Sequence, residues 1–347
     1  MVILGASMGA GRKMPSGGKV CNGLSIALLI GASGAGCVRT LGIEARGLRP
    51  ARADPFPYVR APVEVTFETA EVESDAYASF EVSYPARDSS DERNRVVRAL
   101  LRVPHGRARG LVVVLPILGG DYGASDLFAC DLTEHGFSTL RYERKADAFE
   151  APGGLPRAAH LMGEAVVDVR RGLDWVKAGQ VPGSFSIGLI GISMGSFVAT
   201  LIASSDARID ATVLALGGGD LPRVLRAARS EEEIEAVLSS YEEKGMSDEA
   251  IDREIELWLG PYEPLRHAAR LDPRRTLMVQ ARFDEVVPFA RGTEVWIAAG
   301  RPARAVLPTG HYSSVWVAPY LMGLVRGHFE RTLRSGSRGF GSWSFSP

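Results

Sequence analysis

The 347-residue chain contains only three cysteines, and none of them forms a CxxC pair. Zinc ribbons and thioredoxin-like redox motifs depend on such pairs, so the sequence favours neither. Histidine, aspartate and glutamate show no clustered metal-ligand spacing, and no GxGxxG sequence opens a βαβ unit. The sequence therefore predicts no metal ion and no cofactor.

An excess of charge of one sign is also missing. The chain has 40 Lys and Arg against 41 Asp and Glu, so its formal net charge is −1. Nucleic-acid binding would need a clustered basic excess, and none is present. With 46% hydrophobic and 23% charged residues, the composition is that of a globular protein. We therefore predict a folded domain without a nucleic-acid partner; the sequence leaves its oligomeric state open.

Long hydrophobic runs are absent from the N-terminal region, where the longest, residues 24–32, spans about nine residues. A transmembrane helix needs about 20. No acidic residue occurs before Glu44, several basic residues precede the run, and small residues follow it. A basic segment, a short apolar stretch and small residues are typical of a secretory signal peptide. We predict that residues 1–37 are such a signal; Met14 is an alternative start.

The predicted signal resembles that of bacterial lipoproteins, because Cys37 directly follows its small residues. This resemblance implies that Cys37 is lipidated and attaches the protein to a membrane of the cell envelope. Gly34 departs from the pattern, since leucine usually occupies that place. The alternative is a cytoplasmic protein with a Gly-rich leader. Residues 38–62, rich in Pro and Arg, are interpreted as a linker, and residues 335–347 as a flexible tail.

The region between linker and tail, residues 63–334, alternates strands with helices. Residues 63–72, 77–84 and 95–103 have the period of two expected of antiparallel strands. Continuous apolar runs, typical of strands buried on both faces, follow at 111–115, 138–142, 185–190, 211–216, 277–281 and 304–307. Helical segments separate them, most clearly at 158–178. This order predicts an α/β fold with a mainly parallel sheet and helices on both faces.

One interval, residues 219–270, is too long for a loop and shows helical periodicity. Ser230 and Glu233 have capping-box spacing, and Ser247 can cap a second helix. The interval is either a helical decoration or, in the more specific interpretation, a lid over an active site.

A GxSxG motif occupies residues 191–195, GISMG, between a buried strand and a predicted helix. A strand–turn–helix of this kind presents Ser193 as a nucleophile at a sharp turn. The backbone N–H of Met194 then points to negative charge that develops beside Ser193. A second match, residues 5–9, lies at the extreme N-terminus without a preceding sheet and is interpreted as chance.

A serine nucleophile needs a base, and the base needs an orienting acid. Asp284 follows the apolar run 277–281, and His311 follows the next predicted strand. The carboxyl ends of parallel strands meet at one edge of a sheet, so both residues are predicted beside Ser193. Asp220, after the strand 211–216, is the alternative acid.

With these motifs, residues 108–333 resemble the α/β-hydrolase family, most closely its esterase and dienelactone-hydrolase-like branches. The sequences FDEVVP and LPTGHY look like the acid and histidine loops of the family. The resemblance implies a second oxyanion donor in the loop after residue 115. Pro116 has no N–H, so Leu118 is predicted, with Ile117 as the alternative. Many members have His-Gly in this loop, which this chain lacks.

The predicted activity is hydrolysis of a small-molecule or acyl ester through an acyl-enzyme, without a cofactor. An acyltransferase or a peptidase or amidase could use the same residues. A catalytically silent binding module is the alternative from another class.

Overall fold

The computed structural model describes residues 54–69, 74–88, 91–119, 122–145, 149, 153–179 and 181–333. The predicted signal peptide with Cys37 and the predicted tail 335–347 lie outside the described residues. Within the described ranges, no helix is long and apolar enough to span a membrane.

A nine-stranded sheet forms the centre of the protein, with strand order β1-β2-β3-β5-β4-β6-β7-β8-β9. The first three strands are antiparallel, and the remaining six run parallel to one another. The strands are β1 Thr66–Thr69, β2 Tyr77–Pro85, β3 Val96–Pro104, β4 Leu111–Leu115, β5 Ser138–Tyr142, β6 Ile187–Ile192, β7 Ile209–Ala215, β8 Thr276–Ala281 and β9 Ala303–Leu307. The α/β prediction is confirmed, although β1 begins at Thr66 and not at residue 63 as predicted.

Helices cover both faces of the sheet. They are α1 Gly123–Glu134, α2 Gly154–Ala178, α3 Met194–Ser205, α4 Leu221–Ala227, α5 Glu232–Glu242, α6 Asp248–Leu259, α7 Pro264–Ala268, α8 Phe289–Ala298 and α9 Ala318–Thr332. Apolar side chains of α2, α3 and α8 pack on one face, and those of α1 and α9 pack on the other.

The central strands are apolar throughout because both of their faces are covered. All five residues of β4 are buried. Leu111, Val113 and Leu115 contact the α2 and α3 side, whereas Val112 and Val114 contact the α1 and α9 side. This burial on both sides accounts for the continuous run LVVVL in place of the alternation seen in sheets with one wet face.

The interval 219–270 is helical, as predicted, and contains α4, α5, α6 and α7. Ser247 caps α6 by accepting a hydrogen bond from the N–H of Ala250. The capping box at Ser230 is wrong. Ser230 instead ends a short 3₁₀ turn, and the extended residue before α5 is Glu231, whose side chain makes no cap hydrogen bond.

The predicted linker is also wrong in part, because residues 54–58 pack on the domain. The Asp54 carboxylate accepts hydrogen bonds of 2.7 and 3.2 Å from the guanidinium of Arg170. Phe56 is 7% exposed, and its ring stacks on Tyr262 with 5.9 Å between centroids. Composition indicated a segment unable to order itself. The buried guanidinium of Arg170 supplies the partner that composition could not reveal.

Candidate active site

Ser193 sits at a sharp turn between β6 and α3. Its backbone has φ 52° and ψ −119°, a conformation that non-glycine residues rarely adopt. The N–H of Ser193 donates to the carbonyl of Ala215 at 2.8 Å, which fixes the turn against the end of β7. The serine side chain is thereby held above the carboxyl edge of the sheet, at the first turn of a helix.

The two glycines of the motif allow close backbone approach around this turn. A Cβ at Gly191 would lie 2.1 Å from the carbonyl oxygen of Gly195. A Cβ at Gly195 would lie 2.6 Å from the carbonyl oxygen of Pro116. Both contacts are with backbone, which cannot move aside as a flexible side chain could, so only glycine fits at either position.

The structure brings together the three side chains that the sequence singled out. His311 Nε2 lies 2.9 Å from Ser193 Oγ, and His311 Nδ1 lies 2.8 Å from Asp284 Oδ2. Both distances are those of hydrogen bonds. The side chains of His311 and Asp284 are only 8% and 2% exposed, so little water reaches the pair.

The loop after β8 holds Asp284 in one orientation. Its Oδ1 accepts hydrogen bonds from the N–H groups of Val286 and Val287, at 3.0 and 2.7 Å. Its Oδ2 is thus left for His311. Glu285, the neighbouring acid, is exposed. The arrangement can keep a neutral imidazole with Nδ1 protonated and Nε2 free to accept a proton from Ser193.

The alternative acid, Asp220, has other partners. Its carboxylate forms ion pairs with Arg223 and Arg291. The loop that contains Asp220 has an unusual backbone, with φ 61° at Asp220, in the left-handed region. Buried Glu263 fixes this loop by accepting N–H hydrogen bonds from Asp220 and Leu221. Burial raises the pKa of Glu263, and these hydrogen bonds act in the opposite direction.

The two predicted oxyanion donors, Met194 and Leu118, belong to residues that line the same cavity as Ser193. Met194 is the first residue of α3, so its N–H is not used within the helix. Leu118 and its alternative Ile117 both line the cavity in front of Ser193. The backbone of the loop passes close to the elbow, as the contact between Pro116 and Gly195 shows. Leu118 therefore stays the predicted second donor.

A cavity of about 440 Å³ opens at Ser193 and His311. Its walls are mostly apolar and come from the sheet edge, from α1 and α9, and from the helical interval. The interval contributes Leu221, Val224, Leu225, Ala228, Ile234 and Leu259. A volume of this order suits a small ligand with an apolar part.

A contact that sequence reasoning missed joins the helical interval to the histidine loop. The Tyr312 hydroxyl donates a hydrogen bond to Glu231. The ring of Tyr312 also packs edge-on against His311, with 5.4 Å between ring centroids. Glu231 and Tyr312 are 81 positions apart in the chain, so no local sequence pattern could indicate that they pair.

The other five histidines contact different groups, and none of them lines the cavity. His267, in the helical interval, packs on Phe56 with 5.4 Å between ring centroids and hydrogen-bonds the carbonyl of Pro261. In the described part of the chain, no group of three or more His, Cys, Asp and Glu residues is placed to hold a metal ion.

Comparison with known proteins supports the fold. No family model matches the chain, and no curated protein matches it. Among solved structures, it is similar to an acetyl xylan esterase from Paenibacillus sp. R4, with a TM-score of 0.62 and 17% identity over 77% of this chain and 89% of that one. An esterase from Pyrococcus furiosus gives a TM-score of 0.53 and 15% identity over 74% and 94% of the two chains.

A third similar structure is an acylaminoacyl peptidase from Pyrococcus horikoshii. It has a TM-score of 0.54 and 13% identity, over 77% of this chain but 43% of that one. At such identities the comparisons establish the fold, which is that of the α/β-hydrolases. One fold of this kind supports many functions, so function depends on the site itself.

Proposed function

We propose that this protein is a serine hydrolase that cleaves carboxylic esters. The observation that carries the proposal is the continuous hydrogen-bonded series Ser193–His311–Asp284 at the mouth of an apolar cavity. Serine needs a base to become a nucleophile, and the base needs an orienting acid. Two of the similar structures are esterases by name, in agreement with this chemistry.

In the proposed reaction, Ser193 Oγ attacks the ester carbonyl carbon while His311 Nε2 accepts the hydroxyl proton. The resulting oxyanion is stabilised by the N–H groups of Met194 and Leu118. One such donor contributes about 10²–10³ in kcat. The C–O bond then breaks, and His311 returns its proton to the leaving alcohol. Water attacks the acyl-Ser193 ester by the same route, releasing the acid and restoring the serine.

A silent binding module would not need a serine held in a strained conformation against a buried histidine. Transfer to an alcohol instead of water, or cleavage of an amide, would use the same groups. The peptidase among the similar structures makes the amide worth including as a substrate.

The test is hydrolysis of p-nitrophenyl acetate and labelling by a fluorophosphonate, in the wild type and in Ser193→Ala. Loss of the nucleophile is expected to lower kcat by about 10⁶ and abolish labelling. Ser204→Ala is the matched control, because Ser204 lies on the same helix, α3, and its hydroxyl donates only to the carbonyl of Leu201. Hydrolysis by Ser193→Ala within tenfold of the wild type would contradict the proposal. A p-nitroanilide with the same acyl group measures preference for esters over amides.

We further propose that residues 219–270 act as a lid. Their apolar side chains form a wall of the cavity, and Glu231 fastens them to the histidine loop through Tyr312. A wall built from an inserted segment would set the length of the acyl chain that fits, while the chemistry remains with the sheet edge.

Attachment to the cell envelope through Cys37 is likewise a proposal, supported by the sequence of residues 1–37. Because residues 54–58 are packed on the domain, the tether would be residues 38–53, which reach at most about 55 Å. In a bacterial host, the wild type is expected in the membrane fraction and Cys37→Ser outside it. Recovery of both in the soluble cytoplasmic fraction, with residues 1–36 retained, would contradict export.

A further inference from the structure

The charged side chains that line the cavity at Ser193 are acidic. Among the described residues that line it, two are acidic, Glu231 and Glu233, and none is lysine or arginine. The lining also contains one histidine, His311, which the proposed reaction already uses. Apart from the reacting groups, the cavity thus combines apolar walls with two carboxylates.

The two carboxylates differ in what they contact. Glu231 accepts the hydrogen bond from Tyr312. Glu233 is half-buried, and its Oε1 lies 3.2 Å from the position that a Cβ on Gly119 would occupy, above the predicted oxyanion loop. Within the described ranges, no group hydrogen-bonds to Glu233 or forms an ion pair with it. Water reaches the Glu233 carboxylate, and a cationic group of a ligand would replace that water with a charge-assisted interaction.

Position in the helix alone does not account for Glu233. Acidic residues in the first turn of a helix are favoured by the helix dipole, and α5 has Glu232, Glu233 and Glu235 there. Glu232 is exposed, and Glu235 binds Arg229, so these two serve the helix end and its surface. Glu233 is the member of the three that faces the cavity.

We propose that Glu233 is a specificity-determining residue that binds an ammonium group of the substrate. The inference rests on the proposed esterase function and narrows it to esters with a positive charge in their acyl or alcohol part. A primary ammonium group would donate hydrogen bonds to the Glu233 carboxylate, and a quaternary ammonium group would be attracted to its charge, while the methylenes between the cation and the ester fill the apolar cavity. Substrates with a carboxylate at the same place would be repelled by both Glu231 and Glu233.

The experiment compares esters of equal size that differ in charge. In the acyl series, p-nitrophenyl 6-aminohexanoate is matched by p-nitrophenyl heptanoate, which has a methyl group in place of the ammonium. In the alcohol series, acetylcholine is matched by 3,3-dimethylbutyl acetate. The quantity measured is the ratio of kcat/KM for the cationic ester to that for the neutral ester, at pH 7 and low salt.

Glu233→Gln is expected to lower this ratio about tenfold in at least one series, equivalent to about 1.4 kcal/mol. Glutamine keeps the size and hydrogen-bonding capacity of the side chain and removes its charge. Glu232→Gln removes a neighbouring exposed charge and is expected to leave the ratio within twofold of the wild type. Raising the salt concentration should change the ratio little, because the carboxylate is half-buried.

Failure of this inference is distinguishable from failure of the proposed function. If Ser193-dependent hydrolysis of the neutral esters is present and Glu233→Gln leaves both ratios unchanged, the role of Glu233 is overturned and the esterase stands. An equal fall of the ratio in Glu232→Gln would also overturn it, because a general field would then be responsible. If no Ser193-dependent hydrolysis occurs with any ester, both proposals fall.

Discussion

Asp284→Asn tests the assignment of the acid most directly, because the surrounding hydrogen bonds determine which way the new amide must face. Two N–H groups, those of Val286 and Val287, donate to Oδ1. An asparagine has to present its oxygen to them, since its NH₂ group cannot accept a hydrogen bond. The NH₂ group is then directed at His311 Nδ1, where the carboxylate had accepted.

This orientation reverses the tautomer of the histidine. Nδ1 must accept from the amide, so the proton of the neutral imidazole moves to Nε2, which faces Ser193 Oγ at 2.9 Å. A protonated Nε2 cannot take the serine proton. The wrong tautomer is expected to lower kcat about 10⁴-fold, or about 5.5 kcal/mol of transition-state stabilisation.

The fold should survive the change. The two backbone hydrogen bonds are retained and the side chain keeps its volume, so the free energy of unfolding should change by about 1 kcal/mol. Activity is measured on p-nitrophenyl acetate at pH 7, and stability by urea unfolding. Asp220→Asn is the control: it removes the rival carboxylate, asparagine tolerates its left-handed backbone, and kcat should stay within a few-fold of the wild type. A larger loss in Asp220→Asn than in Asp284→Asn would refute the reasoning.

Three further predictions concern the lid, the docked N-terminal segment and pH. Ala228→Phe, at a buried position in the cavity wall, should lower kcat/KM for p-nitrophenyl octanoate at least tenfold more than for p-nitrophenyl acetate, whereas Ala236→Phe, at an exposed position, should not. If Ala228→Phe changed kcat/KM for the two esters by the same factor, the lid proposal would be contradicted. Phe56→Ala should reduce the free energy of unfolding by about 3 kcal/mol, and Val59→Ala, at an 87% exposed side chain, by less than about 0.5 kcal/mol; equal losses would mean that residues 54–58 are not docked. Burial lowers the pKa of His328 to about 4, so as the pH falls below about 6.5 the unfolded state binds a proton at this residue before the folded state does. The free energy of unfolding should therefore be about 2 kcal/mol lower at pH 5 than at pH 7 through His328 alone. His328→Gln should remove this part of the pH dependence, and an unchanged pH dependence in that variant would contradict the prediction.

Much of the site could be predicted because its parts follow from local patterns and one rule of sheet geometry. Ser193 was identifiable since a buried strand, a sharp turn and a helix occur within some twenty consecutive residues. Asp284 and His311 follow β8 and β9, two strands of the parallel part of the sheet. Parallel strands bring their carboxyl ends to one edge, and the register Ile192↔Ala215, Ala215↔Val279 and Ala281↔Leu307 places these ends side by side.

Other features depended on partners far apart in the chain. The sequence left Asp220 as a rival to Asp284, and only the tertiary structure brings Arg291, 71 positions away, to the Asp220 carboxylate. The Glu231–Tyr312 contact and the approach of Glu233 to Gly119 depend on how the helical interval folds back over the sheet.

Residues 54–58 show the difference most clearly. Their composition predicted a linker, because proline and arginine cannot build a core of their own. The domain nevertheless offers the buried guanidinium of Arg170, 116 residues from Asp54, and the ring of Tyr262 for Phe56. A local pattern reports the conformation that a segment prefers, whereas docking depends on the free energy gained from a surface assembled by distant residues. The sequence by itself determined the strand–turn–helix and the edge at which the polar residues meet; the tertiary structure decided which of them pair.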